Sequence, residues 1–434
     1  MFFTFRSMVA LGFLSVSGLG YADFLKDSKA QLGYKNYYYN NDNRDGEASP
    51  SKIAEWAHGL TLDYQSGYTQ GNVGFGFDAL GMVGMKLDSG KGRHLGSSMI
   101  PTDTDGRGVD EWSRFGVTGK AKVGETSLLY GTLRPSLPVI LTNDARVLTQ
   151  TYQGGQVVIK DLPQFTFTGG RISRATARAS TDRTGLAITG GTQESDGFTF
   201  SGVDWTPQKS LKLQYYFGHL DDYYTQHFLG AVHQWDLGGG QFLKTDLRYF
   251  DTSSSGRNSQ GDAGYRISGY TSNGDGEIDN KTWSAMGVYG ISGHSLTAGY
   301  QVVSGGSNFP QVAQGSLPGK GSVGSTLYLF TDRLIQSFNR AGERTYFGQY
   351  AYDFSALGVP GLKASLTYLK GDDIKTDSGI DLREWERDLI VDYAVQSGFL
   401  KGLGVAWLNG KSHSEASRNQ DQNRLILSYT IPLL

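Results

Sequence analysis

Along most of its length the chain alternates between apolar and polar side chains with a period of two. In Lys209–Gly218 (KSLKLQYYFG), Leu211, Leu213, Tyr215 and Phe217 share one face; Lys212, Gln214 and Tyr216 share the other. In Leu243–Phe250 (LKTDLRYF), Leu243, Leu247 and Tyr249 share a face with Thr245, while Lys244, Asp246 and Arg248 point the other way. Val73–Met85 sets Val73, Phe75, Phe77, Ala79 and Val83 opposite Gly74, Gly76 and Asp78. Near the C-terminus Leu425, Leu427, Tyr429 and Ile431 alternate with Arg424, Ile426, Ser428 and Thr430. Period two predicts strands with two unlike faces. Such segments recur from Leu32 to Leu434, separated by turns such as Ser253-Ser254-Ser255-Gly256 and Asn409-Gly410. No strong amphipathic helix and no linker divides the series.

The charges then choose among β architectures. A soluble sandwich also alternates, but it buries one face of each strand in a dry core. Lys244-x-Asp246-x-Arg248 in mid-strand suits a water-filled lumen instead, with the apolar face turned to lipid. The composition agrees: 61 Gly, 25 Tyr, 22 Phe, only 38% hydrophobic residues and no Cys in 434 residues. A surplus of Tyr fits aromatic girdles at two membrane interfaces. The fold class expected is all-β: one transmembrane antiparallel barrel, since about 10 residues per crossing plus turns supports roughly 16–18 strands.

The first 22 residues differ from the rest. They carry one charge, Arg6, an apolar run from Met8 to Val16 and a small-residue end at Gly20-Tyr21-Ala22. This is the pattern of a secretory leader cleaved after Ala22, leaving 23–434 as a single barrel domain. The run is too short to span a bilayer as a helix. Export and a barrel place the protein in the outer membrane of a Gram-negative bacterium, in contact with outer-membrane lipid and lipopolysaccharide.

Longer stretches carry a resemblance. Trp56–Arg93 (WAHGLTLDYQSGYTQGNVGFGFDALGMVGMKLDSGKGR), Leu133–Arg146 (LRPSLPVILTNDAR), Leu213–Gly230 (LQYYFGHLDDYYTQHFLG), Phe338–Gly361 (FNRAGERTYFGQYAYDFSALGVPG), Glu384–Gly398 (EWERDLIVDYAVQSG) and Asn423–Leu434 (NRLILSYTIPLL) resemble, in collinear order, the OprD family of substrate-specific outer-membrane porins. The resemblance implies about 18 strands, inward-folded loops forming a narrow eyelet, and passive uptake of small anionic, carboxylate-bearing solutes. It also implies a ladder of basic side chains down one lumen wall, no cofactor, no nucleic-acid partner, and a monomer or weak trimer. A general, weakly selective porin is the alternative. A barrel enzyme is a further rival, but no catalytic constellation stands out; a non-enzymatic channel is expected.

The candidate pore residues follow from parity and from this likeness. The stretch Phe167–Ser180 (FTGGRISRATARAS) concentrates Arg171, Arg174 and Arg178. Phe165 and Phe167 read as lipid-facing and Thr166 and Thr168 as lumenal, so counting by twos places Arg174 and Arg178 in the lumen. Arg171 falls out of phase unless Gly169-Gly170 forms a bulge that resets the register. An arginine facing lipid near mid-membrane costs about 2–4 kcal/mol. Pro135–Gln153 matches the family's inward-folding third loop, with Arg146 as its candidate cation and Asp144 as an eyelet acid or a turn-former. Arg248 is lumenal by phase. Arg44 matches a basic family position in a loop-like context. Arg387 shares parity with Trp385, Leu389 and Tyr393, which argues against the lumen.

The chain departs from the family at three places. Gly306, in Ser304–Pro310, stands where an Asp is usual, so Ser304 and Gly306 mark an eyelet short of one acid. Ala406 and Leu408 stand where arginines are common, which thins the lower ladder. Other chemistry is weak. The seven His show no metal spacing. Asn273–Asp279 resembles part of a calcium loop, but Thr271 and Thr282 occupy the first and last ligand positions, favouring a plain polar loop.

Overall fold

The computed structural model describes residues 21–434 apart from 45–49, 90–91, 95–97, 268, 314–315, 318–320 and 323–325. The expected leader therefore lies outside the described residues except for Tyr21 and Ala22, which open a short helix, Tyr21–Lys26.

Eighteen strands form one sheet. In chain order they are β1 Lys29–Asn43, β2 Lys52–Gln65, β3 Gly74–Asp88, β4 Glu111–Val123, β5 Thr126–Leu133, β6 Thr151–Ile159, β7 Phe165–Thr176, β8 Phe198–Gln208 and β9 Leu211–Leu220. They continue as β10 Tyr224–Gly238, β11 Gln241–Ser254, β12 Asp279–Ile291, β13 His294–Val303, β14 Arg344–Asp353, β15 Leu362–Ile374, β16 Leu382–Ala394, β17 Gly404–Ser414 and β18 Gln420–Pro432. Every strand pairs antiparallel with its neighbour in sequence, and β1 pairs with β18 from Gln31↔Pro432 to Asn43↔Gln420, closing the barrel. Closure gives every strand a paired neighbour on each side, so none is an edge strand of the sheet.

One end carries short turns, such as 124–125, 209–210, 239–240 and 292–293; the other carries the connections 89–110, 134–150, 177–197, 255–278 and 304–343. In outer-membrane barrels short turns face the periplasm and long loops face outward.

The period of two survives in the exposure pattern. Phe75, Phe115, Val117, Leu247 and Leu366 stand exposed on the outer wall, while Trp112, Thr118, Asp246, Phe347 and Glu386 are buried within. The Tyr surplus needs a correction. Tyr130, Tyr346 and Tyr350 are outward and exposed, but Tyr37, Tyr39, Tyr152, Tyr216, Tyr223 and Tyr224 are buried, many in the clusters that fill the upper lumen. Only part of the surplus can therefore serve as girdles.

Two long connections fold into the lumen. The loop 134–150 bears a small hairpin, Ser136–Leu137 with Ile140–Leu141. Its Val139 and Ile140 pack among Tyr152, Phe198, Tyr216 and Phe228 on one side. Its Val147 and Leu148 pack with Tyr37, Tyr39, Ala57, Met82 and Trp112 on the other. The loop thus stretches across the lumen between two wall clusters. Gly59 on β2 makes room for it: a Cβ there would lie 2.7 Å from Val147. The loop 304–343 adds Phe309, Leu327 and Leu329 to the first cluster and Phe338 to a third with Phe347 and Leu369.

Candidate functional site: the lumenal constriction

The 134–150 loop exists because β5 leaves the wall early. β5 pairs with β4 only over Thr118–Val123. At its end Gly131 adopts φ +137, and a Cβ there would lie 2.2 Å from the Val117 carbonyl oxygen, so glycine is required. The upper half of β4 loses its neighbour, and Arg114 spans the gap. Its guanidinium donates to the carbonyls of Thr149 and Ala177, each at 2.8 Å.

Three arginines converge where this loop narrows the lumen. Arg146 comes from the loop and lies with its guanidinium carbon 5.0 Å from the Tyr39 ring centre. Arg178 comes from the connection after β7, is 7% exposed, and donates to the Asn143 side-chain oxygen at 2.9 Å. Arg424 comes from the inner face of β18 and donates to Gln422 Oε1 at 2.7 Å and to the Leu334 carbonyl. All three lie within electrostatic reach of Tyr37 on β1. Burial and mutual repulsion push the guanidinium of Arg178 down to about 9, which still leaves it charged at neutral pH. Arg146 is lowered for the same two reasons. Such a cluster is costly in the absence of an anion, because like charges share a partly dehydrated site.

Acid groups stand beside it. Asp332, from the 304–343 loop, lies within electrostatic reach of Arg178; its carboxylate accepts from Leu327 N–H at 2.7 Å and Ser337 Oγ at 2.8 Å, and burial raises its pKa. Glu384, Glu386 and Asp388 form a row on the inner face of β16. Glu386 accepts three backbone N–H bonds, from Leu334, Ile335 and Gln336 at 3.2, 3.0 and 2.6 Å, and so clamps the loop to the wall. Leu334 sits between this carboxylate and Arg424. On the short-turn side lies a cavity of about 370 Å³ lined by Asp63, Asp78, Arg134 and Gln156.

The sequence-derived residues are dispersed. Arg146 and Arg178 meet at the constriction. Asp144 lies on the same loop and accepts from Thr149 Oγ1, a contact within the loop, and from Lys35 Nζ on β1 at 3.2 Å. Arg248 is inward on β11 but fully engaged. It pairs with Asp246 at 3.2 Å, donates to the Tyr328 carbonyl at 3.1 Å, and lies 4.0 and 3.8 Å from the Tyr328 and Phe330 ring centres. Arg44 pairs with Asp421 at the long-loop rim and is exposed.

Counting by twos fails within the arginine-rich stretch. The register shift falls at Ser173, not at Gly169-Gly170, because Gly154 pairs with Ile172 and Gln153 with Arg174. Arg171 therefore keeps the outward phase of Phe167 and is held by Thr199 at 2.8 Å and Asp221 at 2.6 Å. Arg174 lies past the bulge, half exposed, 3.9 Å from Glu194. Arg178 lies beyond the strand's end at Thr176, so it reaches the lumen as a loop residue rather than by counting twos. Ser304 and Gly306 stand at the top of β12: Ser304 Oγ accepts from Lys281 N–H, and a Cβ on Gly306 would lie 2.4 Å from the Asp279 carbonyl oxygen. Arg387 has the outward phase its parity implies. In Asn273–Asp279, Arg266 pairs with Glu277 at 3.1 Å and Asp275 at 3.9 Å.

The chain matches the pattern described as outer membrane porin, OprD family, over residues 22–433. The chain belongs to the OprD family of outer-membrane porins. It is 32% identical to the porin-like protein GalP of Pseudomonas putida, over 95% of this chain and 93% of that one. Among solved structures it is similar to Pseudomonas aeruginosa OccK8 (OprE), at 45% identity and a TM-score of 0.86, covering 95% of this chain and 100% of that one. It is also similar to Pseudomonas aeruginosa OpdK, solved with vanillate, at 33% identity and a TM-score of 0.83, covering 94% and 100%.

Arg424 is not among the candidates that parity and the family resemblance single out. Its signal was present: it alternates with Leu425 on an otherwise plain strand, the same parity that marked Arg248. Leu408 is its cross-strand partner, and Ala406 and Leu408 both have the inward phase of β17. This OprD-family porin therefore has aliphatic side chains on its lumen wall just beside its buried arginine.

Proposed function

We propose that this porin admits small carboxylate-bearing solutes by passive diffusion past the Arg146–Arg178–Arg424 cluster, with no covalent step. The observation that carries the reading is the convergence of three guanidinium groups, from three distant parts of the chain, around Tyr37 at the narrowed lumen. A guanidinium stays charged and offers a planar fork to a carboxylate. Three together relieve their repulsion when an anion arrives, and none binds it so fully that release fails. Lys35 and Arg134 extend positive charge toward the short-turn side, tempered by Asp144 and Asp63. Ala406 and Leu408 leave the wall beside Arg424 apolar, a surface that suits an aromatic or aliphatic acid better than a dianion. Vanillate, which accompanies the related OpdK, is an aromatic carboxylate of this class. On this reading Arg44 and Arg174 are rim charges that gather anions, and Arg171 and Arg248 hold structure. Residues 1–22 are a leader removed on export.

The test is single-channel recording in planar bilayers with benzoate and with benzyl alcohol, its neutral counterpart. Benzoate is expected to interrupt the current in a concentration-dependent way, and benzyl alcohol to leave it unchanged. Equal effects from both would contradict the proposal.

A further inference from the structure

On the outer wall near the short-turn end, β13 to β16 enclose a groove of about 460 Å³. Its floor is Ala364 and Leu366 on β15, with Leu389 on β16. One side is an aromatic wall: His294 lies 4.5 Å, centre to centre, from Tyr352, and Tyr352 lies edge-on to Phe354 at 4.9 Å. The short helix Phe354–Leu357 overhangs the periplasmic end. The dent has a sequence cause. Ala364 pairs with Tyr352 on one side and Val391 on the other, so a methyl group stands between larger outward neighbours. One polar feature marks the rim, a hydrogen bond between Tyr350 Oη and His294 Nδ1 at 2.8 Å.

We infer that this groove is a binding site for one glycerophospholipid of the periplasmic leaflet, with an acyl chain lying over Ala364 and the phosphate at the His294–Tyr350 rim. The occupant follows from position. The groove is continuous with the outward apolar band that closes the barrel against hydrocarbon, so lipid is the only apolar medium that reaches it. It lies at the short-turn end, among aromatic side chains of the kind that mark a membrane interface. The groove is open along its length rather than enclosed, which suits an acyl chain lying along it with one polar edge for a headgroup. With the Tyr350 hydroxyl donating to His294 Nδ1, the Nε2–H of the imidazole is left to donate to a phosphate oxygen, and the apolar floor is left to the chain. The inference rests on the barrel and its orientation, not on the proposed solute.

The experiment is native mass spectrometry of the purified porin in detergent, with phosphatidylethanolamine, phosphatidylglycerol or lipid A added in turn. Wild type is expected to retain one glycerophospholipid under activation that strips detergent and lipid A. Ala364→Trp fills the floor, and occupancy should fall about tenfold, equivalent to about 1.4 kcal/mol. Heat-modified electrophoretic mobility checks that this variant is a closed barrel. Should it misfold, the paired change His294→Leu with Tyr350→Phe, which leaves the groove's volume, is expected to remove the preference of phospholipid over detergent. Unchanged retention in a folded variant, retention of lipid A in place of phospholipid, or no retained lipid in wild type would each overturn the inference. The benzoate-blocked current should be the same in wild type and Ala364→Trp, which separates this site from the lumen.

Discussion

Arg178 donates a hydrogen bond to the side-chain oxygen of Asn143 at 2.9 Å, and this contact ties the connection after β7 to the loop that narrows the lumen. The same guanidinium faces Arg146 and Asp332. It therefore contributes both to the shape of the constriction and to its charge. Replacing it by Lys keeps the charge and loses the planar fork. Arg178→Lys is expected to retain anion preference but to weaken carboxylate binding about twentyfold, equivalent to about 1.8 kcal/mol and within the roughly 1.5–3 kcal/mol of a hydrogen bond to a charged group. Benzoate-induced current blocks, titrated by concentration, measure it. A block as strong as in wild type would remove the fork from the account.

Arg248 and Asp246 are a buried pair that holds the 304–343 loop through the Tyr328 carbonyl and two aromatic faces. Removing only the cation strands Asp246. Arg248→Met should destabilise the barrel by about 3 kcal/mol and make open-channel current noisier, as the loop loosens. The double change with Asp246→Leu should restore most of the stability but not the quiet current. Thermal unfolding in detergent and noise analysis check the two parts.

Leu408 faces the lumen directly across from Arg424. Leu408→Arg adds a rung where the wall is aliphatic. Anion preference should rise, seen as a larger reversal potential in a salt gradient. The unblocked barrel should lose about 0.5–1 kcal/mol of stability, because like charges directly opposite on neighbouring strands repel. An unchanged reversal potential would place Leu408 outside the ion path.

The barrel was legible because alternation is a local property: each strand states its own two faces. That is why the side of the sheet on which Arg248, Lys244 and Arg387 stand follows from their neighbours alone. Arg171, Arg174 and Arg178 show where the method stops. A single extra residue at Ser173 and the end of the strand at Thr176 undo a count by twos, and the glycine that accommodates the bulge, Gly154, lies on the neighbouring strand, where a Cβ would lie 2.2 Å from the Arg171 carbonyl oxygen. The constriction was less legible, since Arg146, Arg178 and Arg424 are brought together by barrel closure and an inward loop rather than by spacing. Arg248 shows the reverse problem: its phase is lumenal, but only packing reveals that Tyr328 and Phe330 cover it.

Glu343 precedes β14 at the long-loop end and is fully buried, facing Glu384. Burial first, and then the neighbouring carboxylate, raise its pKa well above the ordinary carboxylate value. The folded protein thus keeps a proton that the unfolded chain gives up. The contribution is fully present below the ordinary carboxylate range and is lost as pH rises toward the raised value, with a slope of at most about 1.4 kcal/mol per pH unit. Glu343→Gln should flatten this part of the stability profile and raise stability most at neutral pH. Melting temperature across pH 4 to 8, as a practical range of about four units, compares the two proteins. Parallel profiles would mean that another group carries the proton.

The most direct measurement is the reversal potential across a planar bilayer in a potassium chloride gradient, for wild type and for a variant with Arg146, Arg178 and Arg424 each changed to Gln. Wild type should be anion-selective, and the triple variant should lose that selectivity and its block by benzoate while still inserting as an open channel. A wild type that is cation-selective, or a triple variant that keeps its anion preference, would contradict the account.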